Sequence, residues 1–201
     1  MSAPNASDWS LLPGALERVL SEIAAGRERV VECGSGESTV AIGRLLADRG
    51  KGSLHSLEHD RHWLAETAAR LEREGAAERV ELHEAPIRPH PAAPPGCGWY
   101  DPAAVDRLPV SINLLLVDGP HGALWPNGET RFPALPLLAD RLAPGAVVIL
   151  DDIHRAAEQR IVERWEQDFA ISFDRCPNMR LAIGVFSAAL ADSATALERD
   201  R

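Results

Sequence analysis

Five short apolar runs, each closing on or next to an acidic residue, constrain this chain more than any other feature. They span 29–33, 53–58, 79–84, 111–118 and 146–151, and the acids are Glu32, Glu58, Glu84, Asp118 and Asp151. Helical spacing fills the intervals at 37–49, 60–74, 130–142 and 153–168. A leading amphipathic helix over 8–25 carries Leu11, Leu12, Leu16, Leu20 and Ile23. Strands that are apolar on both faces must be covered on both faces. Alternation with helices therefore predicts an α/β, doubly wound and mostly parallel sheet with helices on each side. Two further strands at 170–174 and 180–186 make it seven-stranded. Such sheets bind ligands beyond the carboxyl ends of their strands, where strand order reverses. The five acids are expected to converge on that edge.

The 201 residues suit a single domain, with a core over 28–186 and a small polar tail over 187–201. Residues 85–102 hold six prolines and two glycines. That composition excludes a helix interior or a central strand, so a long surface loop is expected. Its Trp99 and Tyr100 either tuck into the core or wall a substrate site. The charge of −9 argues against nucleic acid as the main partner. The longest apolar run, 146–150, is too short to span a bilayer, and the N-terminus shows no basic, apolar leader. A cytoplasmic location without membrane contact is expected. Cys33, Cys97 and Cys176 form no CxxC pair, so a disulfide framework or a cysteine zinc site is not expected.

The first strand runs into Glu32-Cys33-Gly34-Ser35-Gly36-Glu37-Ser38. Two glycines let the backbone turn sharply and approach a ligand closely. A dinucleotide site would want a third glycine where Thr39 stands, and it would place phosphates where Glu37 already sits. Acids at Glu32 and Glu37 suit a cationic ligand instead.

The Glu-x-Gly-x-Gly turn, followed by an acid ending the second strand, resembles the class I S-adenosylmethionine-dependent methyltransferases. The resemblance covers roughly 28–186 and implies a Rossmann-like fold. It implies that Gly34, Ser35 and Gly36 pass under the cofactor, with Ser38 and Asp118 completing its site. Glu32 would face the methionine amino end, Glu58 would hold both ribose hydroxyls, and His59 and Asp60 would lie beside the adenine. A plain surface role for Glu32 and Glu58 is the alternative.

Asp118 follows the fourth strand, and Asp151–Asp152 follow the fifth. Three carboxylates in one cleft repel one another unless a cation neutralises them. Oxygen ligands with room for water suit Mg²⁺ or a similar divalent ion. The pattern resembles the cation-dependent O-methyltransferases of the catechol and caffeoyl-coenzyme A kind, which implies Asp118, Asp151 and Asp152 as metal ligands. In those enzymes a lysine lies three residues after the first metal Asp; here His121 stands there, in an Asp-Gly-Pro-His turn. His121 is a candidate base, acting with Asp118. Local roles compete: Asp152 also fits as a helix N-cap, and Asp118 as a turn residue.

Trp99, Tyr100, Trp125 and His154 are candidates to touch a small-molecule acceptor, and Trp9 is a further aromatic near it. Trp165 is assigned to the core. Arg131 either anchors an acidic substrate group or pairs with a neighbouring acid. His55, His62, His83 and His90 show no ligand spacing. The expected activity is S-adenosylmethionine-dependent methyl transfer to a small-molecule hydroxyl, assisted by Mg²⁺. The alternatives are a metal-independent enzyme with an amine or carboxylate acceptor, a nicotinamide-dependent oxidoreductase, and a cofactor-binding subunit without catalysis. The leading helix would cap the active site or form a homodimer contact.

Overall fold

The computed structural model describes residues 11–187. Trp9, the start of the leading helix and nearly all of the polar tail lie outside them. The chain opens with α1 (Pro13–Ala24), β1 (Arg29–Cys33), α2 (Glu37–Arg49), β2 (Ser53–Glu58), α3 (Arg61–Arg73) and β3 (Val80–Glu84). A two-stranded ribbon follows, β4 (Ile87–Pro89) and β5 (Gly98–Tyr100), then α4 (Pro102–Val105) and β6 (Ile112–Val117). The last third holds α5 (Ala134–Leu138), β7 (Leu142–Leu150), α6 (Ala156–Asp168), β8 (Phe173–Cys176) and β9 (Leu181–Val185).

Seven strands form one sheet in the order β3-β2-β1-β6-β7-β9-β8. The pairs from β3 through β7 are parallel, and β9 runs antiparallel to both β7 and β8. This is the expected fold. Strand order reverses between β1 and β6, so the turns leaving those two strands flank the crevice where ligands bind.

Alternation along each strand sends successive side chains to opposite faces. Val30, Leu54, Leu114 and Leu116 meet α1 and α2 through Val19, Ile23, Ile42 and Leu46. Val31, Leu57, Leu115 and Val117 face the other layer, where Trp99, Leu135 and Trp165 are buried. Pro13 begins α1, where its missing N–H costs nothing. Ala15, Val19 and Ile23 then recur every four residues as its buried stripe. Each fully buried Val or Ile side chain contributes roughly 1.5–3 kcal/mol.

Three local readings change. The 85–102 segment is not one loop: β4 and β5 pair antiparallel, with Ile87 opposite Tyr100, and Pro89 sits at the ribbon's end, where no ladder donor is needed. The helix expected over 130–142 shrinks to α5 and a 3-10 turn at Ala139–Arg141, because the chain before Pro133 stays non-helical and buries Arg131. Strand β7 starts four residues earlier than the 146–151 run, with a register shift between Ile112 and Leu114 in the partner strand.

Candidate functional site

Strand β1 delivers the glycine turn. Gly34 has φ 94°, a left-handed value open to glycine. The turn after β6 presses against it: a Cβ on Gly119 would lie 2.9 Å from Gly34 Cα and 2.6 Å from the Tyr100 hydroxyl. Both crevice turns are therefore bare backbone at their meeting point. The Tyr100 hydroxyl is buried there with no hydrogen-bond partner.

Glu58 closes the turn from the side. Its Oε2 accepts from Ser35 N–H (2.9 Å) and Ser35 Oγ (3.1 Å), and its Oε1 from the N–H groups of His59 (2.7 Å) and Asp60 (2.8 Å). Burial alone would raise its pKa; the His59 side chain and the backbone donors reverse this and hold it below the ordinary glutamate value. Asp60 caps α3 by accepting from His62 N–H at 2.8 Å.

Glu32 does not face the cleft. It is wholly buried beneath the turn and accepts from Ser38 Oγ (2.5 Å), Thr39 Oγ1 (2.5 Å) and Ser56 Oγ (2.8 Å). Burial pushes its carboxyl up, against the pull of those hydroxyls. The acid expected to meet a ligand instead holds the start of α2 in place.

A cleft of about 570 Å³ opens over these turns. Gly34, Ser35, Gly36, Ser38, Glu58 and His59 line one end, and Asp118, His121, Arg131, Asp151 and Asp152 the other. The carboxylates of Asp118, Asp151 and Asp152 offer oxygens within 4.8 Å of one another. The cation among them is a side chain. Arg131, 3% exposed, places Nη2 at 3.1 Å from Asp118 Oδ1 and 3.0 Å from Asp152 Oδ2. Its Nη1 donates to the Asp151 carbonyl at 3.1 Å and lies 3.8 Å from buried Glu158. Arg155 adds a second contact to Asp152 at 2.9 Å.

This arrangement does not fit the expected Mg²⁺. An ion bound at about 2.1 Å to those same oxygens would compete with a guanidinium nitrogen for the same space. Arg131 offsets part of the repulsion that called for a metal, and, beside burial, Asp151 and Asp152 still push Asp118 up. Burial still raises Asp118, against the pull of Arg131, and raises Asp151 to about 6.

His121 reaches the cleft beside Asp118, but its Nδ1 accepts the Ala123 N–H at 3.1 Å. In the neutral ring that leaves the proton on Nε2, a donor and not a base. Burial lowers its pKa, with Arg155 and Arg131 adding to the effect.

The aromatic candidates divide. Tyr100 lines the cleft. Trp99 is 0% exposed and packs edge-on against Tyr100, ring centroids 5.0 Å apart, within the core. Trp125 is buried too and donates Nε1–H to the Gly98 carbonyl at 2.8 Å, tying its turn to β5. His154 stands outside the cleft walls, 3.7 Å from Asp152. Neither tryptophan is placed to meet an acceptor. Trp63, Thr67 and Arg70 of α3 line the cleft unanticipated, as does Arg180; Leu11 and Leu12, from the leading segment offered as a cap, line it too. The spacing of 63, 67 and 70 marks one helix face and was the available signal.

This strand order, with an acid-lined cleft over bare glycine turns at the switch point, defines a class I methyltransferase fold. Residues 31–153, more than half of the chain, match the family described as a methyltransferase domain. The chain belongs to that family. No curated protein matches it by sequence. The solved O-methyltransferase TomG from Streptomyces achromogenes, in complex with S-adenosylmethionine, is 18% identical with a TM-score of 0.61, covering 90% of this chain and 83% of that one. An O-methyltransferase from Bacillus cereus, in complex with S-adenosylhomocysteine, is 15% identical with a TM-score of 0.63, covering 89% and 83%. The S-adenosylhomocysteine-bound methyltransferase PaMTH1 of Podospora anserina is 15% identical with a TM-score of 0.60, covering 90% and 91%. Among the described residues no helix is long and apolar enough to cross a membrane.

Proposed function

We propose that this methyltransferase uses S-adenosylmethionine to methylate a hydroxyl of a small molecule, with Arg131 in the place of a metal ion. The observation that carries the cofactor reading is the end of the cleft at Glu58. There a carboxylate held ionised, two bare glycine turns and the unpartnered Tyr100 hydroxyl surround space for a ligand without phosphates. S-adenosylmethionine supplies, when bound, an electrophilic methyl group on a sulfonium.

The residues divide the remaining work. Gly34 and Gly36 let the backbone approach the donor, and Glu58 accepts from its ribose as the Ser35 hydroxyl gives up its place on Oε2. Ser38, fixed by Glu32, keeps the first turn of α2 in register. Asp118, in the cleft between the glycine turn and Arg131, takes the acceptor's hydroxyl proton. His121, with Nδ1 tied to the Ala123 N–H, walls the acceptor's side of the cleft beside Asp118. Catalysis is then mainly positioning of an oxygen in line with the methyl group.

The test is isothermal titration of the purified protein with S-adenosylmethionine, with and without EDTA, repeated on Glu58→Ala. Micromolar binding, unchanged by EDTA and weakened at least about tenfold in the variant, is the expected outcome. Absence of binding by well-folded wild-type protein would sink the cofactor reading.

A further inference from the structure

Strands β2 and β3 pair so that His55 stands directly opposite Glu81. His83 lies two residues after Glu81, on the same face. The sheet thus gathers three potential ligands from two strands, where sequence spacing alone shows none. His55 Nδ1 is 3.2 Å from His83 Nε2 and 3.5 Å from Glu81 Oε2. One ligand atom from each of the three residues lies within 4.8 Å of the others.

These separations carry chemical meaning. Four ligands around zinc, with Zn–N near 2.0–2.1 Å, are roughly 3.3 Å apart along a tetrahedral edge. The imidazole pair and the nearer carboxylate contact match that edge. The environment is graded as a binding site needs. The His83 side chain is 1% exposed and fixed by the sheet, whereas that of Glu81 is 59% exposed and opens to solvent. Two imidazoles and one carboxylate select a borderline ion over Mg²⁺.

We propose that His55, Glu81 and His83 form a site for a divalent transition ion of the Zn²⁺ class, separate from the methyl-transfer cleft. The ion clamps the outermost strand β3 to β2. The two strands end opposite each other at Glu58 and Glu84, so the clamp sits behind the wall that carries Glu58. The competing account is a simple imidazole–imidazole hydrogen bond beside a surface glutamate.

Zn²⁺ and, separately, Mg²⁺ are titrated into chelator-stripped full-length protein, with calorimetry and thermal unfolding as readouts. One Zn²⁺ per chain in the micromolar range or tighter, a raised Tm, and no response to equal Mg²⁺ are expected. Glu81→Gln, at an exposed position, keeps the fold and weakens Zn²⁺ binding on the order of tenfold or more. His55→Ala removes it. Failure of folded wild-type protein to bind Zn²⁺ stoichiometrically overturns the site. So does binding that neither variant weakens. Neither readout depends on methyl transfer, so this result and the fate of the cofactor reading are separable.

Discussion

Arg131 and Asp118 meet inside the cleft as a part-buried ion pair, Nη2 to Oδ1 at 3.1 Å, and the same nitrogen reaches Asp152. One guanidinium therefore joins the turn after β6 to the turn after β7. Its planar fork serves several acceptors at once, which a lysine ammonium cannot match in geometry.

Removing that fork leaves buried carboxylates without their cation, a loss of about 3–5 kcal/mol when one partner of a buried pair is deleted. Arg131→Ala is expected to lower Tm and abolish turnover, and Arg131→Lys to recover part of each. Added guanidinium or Mg²⁺ should restore some activity to Arg131→Ala. Wild-type turnover should be indifferent to EDTA. An enzyme silenced by EDTA and revived by Mg²⁺ would show that a metal, not Arg131, is the working cation.

Glu58 has a depressed pKa in the folded protein. Its contribution to stability is present above the unfolded value, near 4.5, and is lost as pH falls through the lower folded value. The stability difference between wild type and Glu58→Gln should hold down to about that pH and shrink only below it. Thermal unfolding across an acid series reads this directly. A difference already vanishing near neutrality would mean that Glu58 is not held ionised by the Ser35, His59 and Asp60 donors.

Asp118 and His121 are expected to behave differently. Asp118→Asn should lower kcat by about 10²–10⁴, the range for a lost general base. His121→Asn should act chiefly on KM, because Nδ1 is tied to Ala123 and Nε2 is a donor. Steady-state kinetics against pH separate the two. Loss of the acidic limb of the kcat profile in His121→Asn, and not in Asp118→Asn, would reverse the assignment.

Gly119→Ala should cost about 1–3 kcal/mol, as overpacking does. The added methyl group would meet Gly34 Cα at 2.9 Å and the Tyr100 hydroxyl at 2.6 Å. Donor affinity should fall with it, because both turns border the cleft. Gly145→Ala carries positive φ but meets nothing within 4 Å, and provides the control for backbone strain without the clash. Equal loss of donor affinity in both would mean that the close approach of the two turns is unimportant.

Strand–helix alternation, the sheet's parallel character and three of the five strand-ending acids at its working edge, Glu58, Asp118 and Asp151, were legible in the sequence. Each is written locally: period, punctuation, and which residue ends a strand. The glycine turn and Glu58 were legible for the same reason, since spacing along one β–α unit fixes them. Tertiary structure decided the rest. The place of Glu32 before Gly34 suggests a ligand-facing acid, but it lies wholly buried beneath the turn, held by the hydroxyls of Ser38, Thr39 and Ser56. Trp99, open to either core or pocket by sequence, faces the core from the ribbon itself, and Trp125, a pocket candidate, is buried and bonded to the ribbon at Gly98. The need for a cation among Asp118, Asp151 and Asp152 followed from charge alone. That Arg131 meets it depends on a non-helical segment crossing two strand ends, and the meeting of His55 with His83 depends on the register of two strands. Local periodicity fixes what a segment becomes; side-chain encounters between distant segments depend on register and packing, which no single stretch of sequence contains.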